Sequence, residues 1–346
     1  MTNSTLMLRE AAETPDKVAA QQRDNRAAAA RIAATLKARA PKFIATCARG
    51  SSDHAATYAK YLAEIRLGVA TCSFAPSVAS VYGASVSLKD ALFLCISQSG
   101  RSPDLLQAAE TARRQGAYVV AVVNDEDSPL AAMAEDVLPI GAGPEKSIAA
   151  TKSCIGAMAA VFDLYAQWSE SAAMASALDA LPTSLVEAFE CDWSHALPAM
   201  EHARQALIIS RGIGLAAAQE AALKLKETCR IQAEPFSAAE VRHGPMAIVD
   251  KGFPIIAAST FDAAQDSIDD VSRHFAERGA KMFMAGCPVG APVEKTASLP
   301  APRACLSDLQ PLVFLMAFYR FANDLALLRN LDPDKPDHLQ KVTETV

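Results

Sequence analysis

The sequence predicts an α/β protein made of two copies of one doubly wound domain, each with a parallel sheet. Short continuous apolar runs such as residues 92–96 alternate with helical stretches such as residues 102–115, which is typical of β-α-β units with strands buried on both faces. This pattern recurs at a fixed spacing along the chain. With 346 residues, 51% of them hydrophobic, the chain can form about two domains with large cores.

A duplication organises these elements. An apolar run ending at Arg49 returns as one ending at Arg211, and a run ending at Ser97 returns at Ser259, both 162 residues later. A third run, residues 118–123, has a counterpart at nearly the same spacing. Three strands in register predict one supersecondary domain used twice. Because parallel sheets bind ligands at the carboxyl ends of their strands, we expect the chemistry in the loops there.

Composition excludes several classes of function. The net charge of −6 and the lack of clustered Lys and Arg argue against nucleic acid as a partner. The first twenty residues carry several charges and no apolar run, unlike a targeting peptide. The longest apolar stretches, residues 154–162 and 311–319, are about half the ~20 residues of a membrane-spanning helix. They predict buried helices.

The cysteines and histidines indicate neither disulfides nor a metal. The eight cysteines are scattered without a C-x-x-C pair, and several lie inside apolar runs, which is typical of reduced cysteines in a cytoplasmic protein. The six histidines lack the spacing of metal ligands. We therefore expect no metal and no other cofactor.

Two serine-rich loops in the first half indicate a small phosphorylated ligand. One contains Ser97, Ser99 and Ser102, with Ser102 predicted as the N-cap of a helix that starts at Pro103. Its hydroxyls would surround the free N–H groups of the helix start, which bind phosphate without a Lys. It lacks the spacing of nucleotide-binding loops, and an ordinary capped turn is the alternative. The second loop, residues 49–52, has the same character.

The second half carries candidate acid–base residues instead. Glu220, Lys224 and Glu227 share one face of a helix predicted over residues 219–229. The pattern alone favours a solvated face with ion pairs, and acid–base catalysis is the alternative. His243 precedes Gly-Pro on a predicted rigid turn, where a histidine is suited to proton transfer but can equally be a surface residue.

Five motifs occur in an order that resembles the SIS (sugar isomerase) superfamily, in particular the isomerase portion of glucosamine-6-phosphate synthase. They are Ser97-Gln98-Ser99-Gly100-x-Ser102, Glu145 with Ala149-Ala150-Thr151-Lys152, Leu223-Lys224-Leu225-Lys226-Glu227, Arg242-His243-Gly244-Pro245, and Asp334-Lys335-Pro336-x-x-Leu339-x-Lys341. The opening Met7-x-x-Glu10-x-x-Glu13-x-Pro15 is similar to the family's lead-in. The resemblance covers essentially the whole chain, although Arg49 stands where the family usually has a small residue.

The resemblance implies two tandem SIS domains, each a five-stranded parallel sheet between helices, in a homodimer with shared active sites. We expect a helical lead-in at residues 1–28, a phosphate-binding SIS domain at 29–170, a second SIS domain with the acid–base residues at 171–328, and an active-site tail at 329–346.

The resemblance also assigns roles to individual residues. Those implied to bind the sugar phosphate are Ser52, Ser97, Gln98, Ser99 and Ser102. Glu227 would move a proton between C1 and C2, with Lys224 near the developing enediol oxygens. His243 would assist ring opening, reaching a site in the partner subunit. Lys341 would close over the open-chain sugar, where it can form a Schiff base, and Glu145 would be a carboxylate on the substrate side.

The expected reaction is deamination of glucosamine 6-phosphate to fructose 6-phosphate and ammonia. The synthase releases ammonia from glutamine on a further N-terminal domain, whereas this sequence starts shortly before the first SIS strand, so we expect the degradative direction. The alternatives are a fructosamine-6-phosphate deglycase and a galactosamine-6-phosphate deaminase/isomerase. An alternative of another class is a non-catalytic sugar-phosphate sensor.

Overall fold

The computed structural model describes residues 5–286 and 293–341, and this part of the chain forms two five-stranded sheets. All neighbouring strands within each sheet are parallel. The first sheet consists of β1 (Phe43–Cys47), β2 (Thr71–Ser73), β3 (Ala91–Ser97), β4 (Tyr118–Val123) and β5 (Asp136–Pro139), in the order β2-β1-β3-β4-β5. The second consists of β6 (Gln205–Ser210), β7 (Gln232–Ser237), β8 (Pro254–Ala258), β9 (Lys281–Ala285) and β10 (Ala297–Leu299), in the order β10-β9-β8-β6-β7.

Helices connect these strands. Up to the end of the first sheet they are α1 (Leu6–Ala12), α2 (Thr14–Asp24), α3 (Arg26–Arg39), α4 (Ser51–Arg66), α5 (Pro76–Ser80), α6 (Pro103–Arg114) and α7 (Pro129–Met133). The later ones are α8 (Lys152–Trp168), α9 (Ala172–Phe189), α10 (Leu197–Met200), α11 (Leu215–Cys229), α12 (Gln265–Glu277) and α13 (Gln310–Leu328). Short 3₁₀ turns lie at Ser194–Ala196, Gly212–Gly214, Glu240–His243, Pro245–Ile248 and Ser307–Leu309.

The chain divides into two compact units that are not simply sequential. The unit of the first sheet contains residues 16–145, 152–179 and the end of the tail from residue 340. The unit of the second sheet contains the N-terminal residues up to 15, the short segment 146–151 and residues 180–339. The lead-in helix α1 therefore belongs with the second sheet, although it precedes the first sheet in the sequence.

The first sheet is buried on both faces. Alternate residues of β3, such as Phe93 and Cys95, pack with Leu105 of α6 and Leu130 of α7 in one apolar cluster. The intervening β3 residues, such as Leu94, are also fully buried and point to the opposite face, because side chains alternate along a strand. Helices α4 and α8 contact strands of this sheet as well. Burial on both faces explains why the strands are continuous apolar runs.

The second sheet repeats this arrangement. Ile255 of β8 and Met282 of β9 pack with Ile268, Val271 and Phe275 of α12. Helix α11 packs against β6 and β7, and α13 packs on α11. Counted from the first strand of each sheet, the strand order is the same in both. The predicted fold class, two tandem α/β domains with parallel sheets between helices, is confirmed.

The apolar stretches at residues 154–162 and 311–319 lie in α8 and α13, whose side chains there are buried. The segment Ser307–Leu328, which includes α13, is long and apolar enough to cross a membrane. However, 78% of its apolar 18-residue stretch is buried within the protein. A core helix of a globular domain has the same length and composition.

The first prediction concerns Gly100, which follows β3 with a φ of 63°. A Cβ at this position would lie 2.2 Å from Oγ of Ser128, and that oxygen accepts the Ala131 N–H at the start of α7. Gly100→Ala should therefore lower the free energy of unfolding by roughly 1–3 kcal/mol of overpacking, beyond the cost of the positive φ. Chemical denaturation measures this.

The matched control is Gly116→Ala. Gly116 also has a positive φ, 85°, but its nearest neighbour would be 3.9 Å from the new Cβ. This variant should lose only the conformational term of about 1–2 kcal/mol. Equal losses in the two variants would contradict the proposed clash with Ser128.

Candidate active site

The loop between β1 and α4 carries the first candidate phosphate contacts. Gly50 adopts a φ of 55° at the N-cap position, so the chain turns sharply from the strand into the helix. The helix begins at Ser51, and Ser52 therefore lies in its first turn. Both serines are half-buried. N–H groups in a first helical turn have no intrahelical partner, which makes this turn suited to binding an anion.

The loop between β3 and α6 is held by its own serines. Oγ of Ser97 accepts the Gly100 N–H at 3.0 Å, and Oγ of Ser99 accepts the Arg101 N–H at 3.3 Å. Ser97 is buried, whereas Gln98 and Ser99 are half-buried. These contacts fix the loop at the carboxyl end of β3, where the sequence placed it.

Ser102 occupies the N-cap position of α6, as predicted, but its side chain makes no capping hydrogen bond. Asp104 supplies a local acceptor instead, since its Oδ1 accepts the Leu105 N–H at 2.8 Å. The expected cap bond is therefore replaced by a carboxylate in the first turn, where a negative charge is favourable. The Ser102 hydroxyl is not committed to capping.

An ion pair joins the two serine-rich loops. Nε and Nη2 of Arg49 lie 2.9 and 2.6 Å from Oδ2 of Asp104. Asp104 is almost fully buried, whereas half of the Arg49 side chain is exposed. Because an ionised carboxylate is costly to bury unpaired, Arg49 fixes the β1–α4 loop relative to the start of α6. Arg49, at a position where the resemblance leads one to expect a small residue, thus has a clear structural role.

The candidate acid–base residues form a buried network on α11. Nζ of Lys224 contacts Glu227 and lies 3.4 Å from Oε1 of Glu220, and both Lys224 and Glu220 have fully buried side chains. The hydroxyl of Tyr319, on α13, donates to the same Glu220 oxygen at 3.2 Å. The prediction of a solvated helix face, which the pattern alone favoured, is therefore wrong, because α13 packs on α11.

Glu227 differs from its neighbours in being accessible. Its side chain is 20% exposed, although it contacts the buried ammonium of Lys224. A carboxylate that is reachable from outside and fixed from inside is the arrangement that proton transfer to a substrate requires. Lys224, expected beside enediol oxygens, lies between the two carboxylates.

His243 follows α11 and β7 in the sequence. It ends the 3₁₀ turn Glu240–His243, and Gly244 follows with a φ of 138° before the next turn begins at Pro245. The predicted tight turn is confirmed. The His243 side chain is exposed.

The structure brings Lys341 and Glu145 together. Nζ of Lys341 lies 3.0 Å from Oε2 of Glu145, whose side chain is fully buried, while that of Lys341 is 24% exposed. Glu145 also accepts hydrogen bonds from the N–H and the hydroxyl of Ser153, at 3.1 and 2.7 Å. The tail lysine and the buried carboxylate, 196 residues apart, thus form one charged pair within the unit of the first sheet.

Sequence reasoning missed three partners in these sites: Asp104, Ser153 and Tyr319. The role of Asp104 could have been predicted locally, since Asp and Glu are enriched in the first turn of helices, and Asp104 directly follows the predicted Ser-Pro helix start. Tyr319 lies 99 residues from Glu220, and nothing local in the sequence connects them.

Removing the buried ammonium should destabilise the fold. Lys224→Met leaves the Glu220 carboxylate without its cation, and breaking a buried ion pair in this way costs about 3–5 kcal/mol. The control is Lys37→Met, which removes a surface ion pair with the exposed Glu170 and should cost less than about 1 kcal/mol. Urea denaturation compares the two, and similar losses would contradict a structural role for the network.

A pH-dependent prediction concerns Asp53, which follows Ser52. Burial raises the pKa of its carboxyl group, opposed by the charges of His54 and Arg49. A folded-state pKa above the unfolded one means that the carboxyl favours folding when protonated and loses this contribution as the pH rises through the folded pKa. Asp53→Asn should therefore raise the free energy of unfolding at pH 7, by less than about 1 kcal/mol because the site is partly solvated.

This gain should shrink as the pH falls toward the ordinary aspartate pKa of about 4. Asp125→Asn is a control of opposite sign, since the hydrogen bond from Arg101 lowers the pKa of Asp125. Thermal melts of both variants across this pH range test the assignment. A pH-independent effect of Asp53→Asn would contradict it.

Comparison with known proteins identifies the family of this chain. The SIS domain matches residues 38–167 and 199–298 of this chain. The glutamine–fructose-6-phosphate aminotransferase (isomerizing) of Methanothermobacter thermautotrophicus is 32% identical over 296 residues, which cover 84% of this chain and 50% of the relative. The chain thus spans about half the length of the curated relatives it matches.

Solved structures extend the similarity to nearly the whole chain. A protein from Silicibacter pomeroyi DSS-3, assigned as a phosphosugar isomerase, is 40% identical, with a TM-score of 0.91 over 95% of this chain and 100% of that one. Glucosamine-6-phosphate deaminase from Thermotoga maritima shares the fold at 18% identity, with a TM-score of 0.79 over 99% and 100% of the two chains. Since the matched SIS segments cover more than half of its residues, this chain belongs to the SIS domain family.

Proposed function

We propose that this protein is an amino-sugar-phosphate deaminase that converts glucosamine 6-phosphate and water to fructose 6-phosphate and ammonia. The observation that carries the proposal is the Glu227 carboxylate, accessible on one side and held on the other by the buried ammonium of Lys224. Enzymes that interconvert aldoses and ketoses need such a base between C1 and C2. The names of the similar proteins, which refer to phosphosugars and fructose 6-phosphate, support this substrate class.

Proton transfer is the central step. In the open-chain amino sugar, Glu227 takes the proton from C2 and returns it to C1, while O1 gains a proton and the amino group loses one. The C1 aldehyde is thereby reduced to an alcohol, and C2 becomes an imine. Water then adds to the imine carbon, and ammonia leaves as the ketone forms. Lys224 contributes by fixing the carboxylate and offsetting its charge, since its ammonium contacts both Glu220 and Glu227.

The phosphate would be bound by the serine-rich loops. Ser52, Ser97, Gln98, Ser99 and Ser102 lie at the carboxyl ends of β1 and β3, within two loops that the Arg49–Asp104 pair holds together. The 6-phosphate of an open-chain sugar is separated from C1 and C2 by the intervening carbons of the sugar itself. The binding energy of such a remote group can be used to orient the reacting carbons.

The charged pair of Lys341 and Glu145 supports a role for the tail at the reacting end of the sugar. In the proposed reaction Lys341 meets the open-chain carbonyl, and Glu145 holds the ammonium of Lys341 until the sugar arrives. Ser153 fixes Glu145 in turn through two hydrogen bonds.

We also propose that the protein acts as a cytoplasmic homodimer. The exposure of His243 in the single chain supports the proposal that this residue opens the sugar ring in the site of a second copy. The seven cysteines within the described residues are thiols rather than disulfides, which fits a reducing compartment.

A substrate panel tests the proposed function. The purified protein is incubated with the 6-phosphates of glucosamine, galactosamine and fructosamine, and ammonia and the sugar phosphate products are measured. Ammonia and fructose 6-phosphate formed fastest from glucosamine 6-phosphate support the proposal, whereas preference for either other substrate assigns one of the alternative reactions. Thermal stabilisation by sugar phosphates without turnover would indicate a sensor.

Glu227→Gln tests the mechanism. The amide cannot accept the C2 proton, so kcat should fall by roughly 10²- to 10⁴-fold, the usual contribution of a general base. The variant should still be stabilised by sugar phosphates, because the phosphate loops are unchanged. Glu234→Gln, at an exposed position on β7, is the matched control and should retain activity. A rate unaffected by Glu227→Gln would contradict the mechanism.

A further inference from the structure

Helix α1 lies outside both segments that match the SIS domain, yet it is firmly held. Met7 and Ala11 are fully buried. Thr5 caps the helix by accepting the Leu8 N–H, and its hydroxyl donates to Oδ1 of the buried Asn323 on α13 at 2.5 Å. Helix α1 is therefore held by apolar packing and hydrogen bonds within the unit of the second sheet.

The chain after α13 is hydrogen-bonded to α1. The two carboxylate oxygens of Asp334 accept the N–H groups of Leu6 and Met7, each at 2.7 Å. These are first-turn donors of α1, and a negative charge at a helix N-terminus is favourable. Both Pro333 and Pro336, on either side of Asp334, are buried, so the chain is packed into the protein on both sides of Asp334.

The same helix holds the segment after Glu145. The Glu10 carboxylate, only 5% exposed, accepts the N–H groups of Lys146 at 2.5 Å and Ser147 at 3.0 Å. Charge-assisted hydrogen bonds of this kind are about twice as strong as neutral ones. The N–H of Ile148 points to the Asp334 carbonyl at 3.4 Å, which adds a direct contact between this segment and the tail.

The hydrogen bonds of Glu10 and Asp334 affect the Lys341–Glu145 pair because the hydrogen-bonded segments continue directly into these two residues along the chain. Glu145 is bonded to Lys146, and Lys341 follows Asp334 by seven residues. Seven residues can span at most about 25 Å, and fixing one end of a short segment reduces the entropy that its other end loses on contact. Both members of the pair are thus joined by short stretches of chain to residues that α1 holds.

We propose that α1 is the anchor of the C-terminal tail, and that Glu10 and Asp334 are positioning residues that set where Lys341 meets Glu145. The anchor itself follows from the contacts of Glu10 and Asp334. Its effect on turnover rests on the proposed function, in which Lys341 acts on the substrate.

The anchor can be tested without any substrate. Lysines of the full-length protein are pulse-labelled with an acetylating reagent, and the modification at each lysine is followed by mass spectrometry. Lys341, paired and 24% exposed, should react slowly in the wild type. In Asp334→Asn, the new amide NH₂ faces a backbone N–H, and Lys341 should react roughly tenfold faster, as expected for losing one hydrogen bond to a charged group.

Glu10→Gln provides an independent second variant with the same expected result, should one of the two fail to fold. Lys42, with a side chain that is 75% exposed, is an internal reference whose labelling rate should not change. Asp24→Asn, at an exposed position at the end of α2, is the matched control variant. An unchanged Lys341 rate in folded Asp334→Asn and Glu10→Gln would overturn the proposal.

Kinetics with the proposed substrate add a second readout. Displacing Lys341 should lower kcat on the order of 10- to 100-fold, as misplaced catalytic groups do, with little change in KM because the phosphate loops are untouched. A fall in stability without this split would indicate a merely structural role for the two carboxylates. If the wild type does not turn over amino-sugar phosphates, the proposed function fails while the labelling result still decides the anchor.

Discussion

The candidate site depends first on a fully buried ammonium group. Lys224 is removed from water between two carboxylates, and such a desolvated cation is tolerated only when its partners are close and fixed. Glu220 contacts the ammonium from the buried side, and Tyr319 of α13 in turn donates a hydrogen bond to Glu220. Glu227 contacts the ammonium from the accessible side. Packing of α13 on α11 therefore determines both the burial of the lysine and the orientation of the one carboxylate that a substrate can reach.

The two copies of the fold carry different residues after their first strands. The loop after the first strand of the first sheet leads into a helix with serines in its first turn, whereas the equivalent loop of the second sheet, Gly212–Gly214, leads into α11, whose charged residues are four and seven positions apart. The strand order and parallel pairing are the same in both copies. The two copies therefore differ in their loops and helix faces, which the sheet holds in place but does not specify.

Local sequence patterns predicted the fold because burial on both faces of a parallel sheet leaves continuous apolar runs. They also predicted the serine-rich loops and the 3₁₀ turn at His243, which depend on residues close together in the chain. They failed where the deciding contact is remote. On α11 the charged residues have the spacing of solvated ion pairs, but the packing of α13, with Tyr319 against Glu220, buries them. Asp104 replaced the Ser102 hydroxyl at the start of α6 because it also pairs with Arg49, on another loop.

In each unit the buried charges that carry the candidate chemistry are balanced within that unit, as Lys224 is by Glu220 and Glu227, and Glu145 is by Lys341. Pairing offsets the desolvation cost of such charges only as long as their geometry is maintained, because a displaced partner leaves a desolvated charge behind. Arg49 and Asp104 hold the serine-rich loops under the same constraint. In the proposed reaction a substrate would therefore meet groups whose positions are already fixed by the fold, and its binding energy would be available for orienting the reacting carbons.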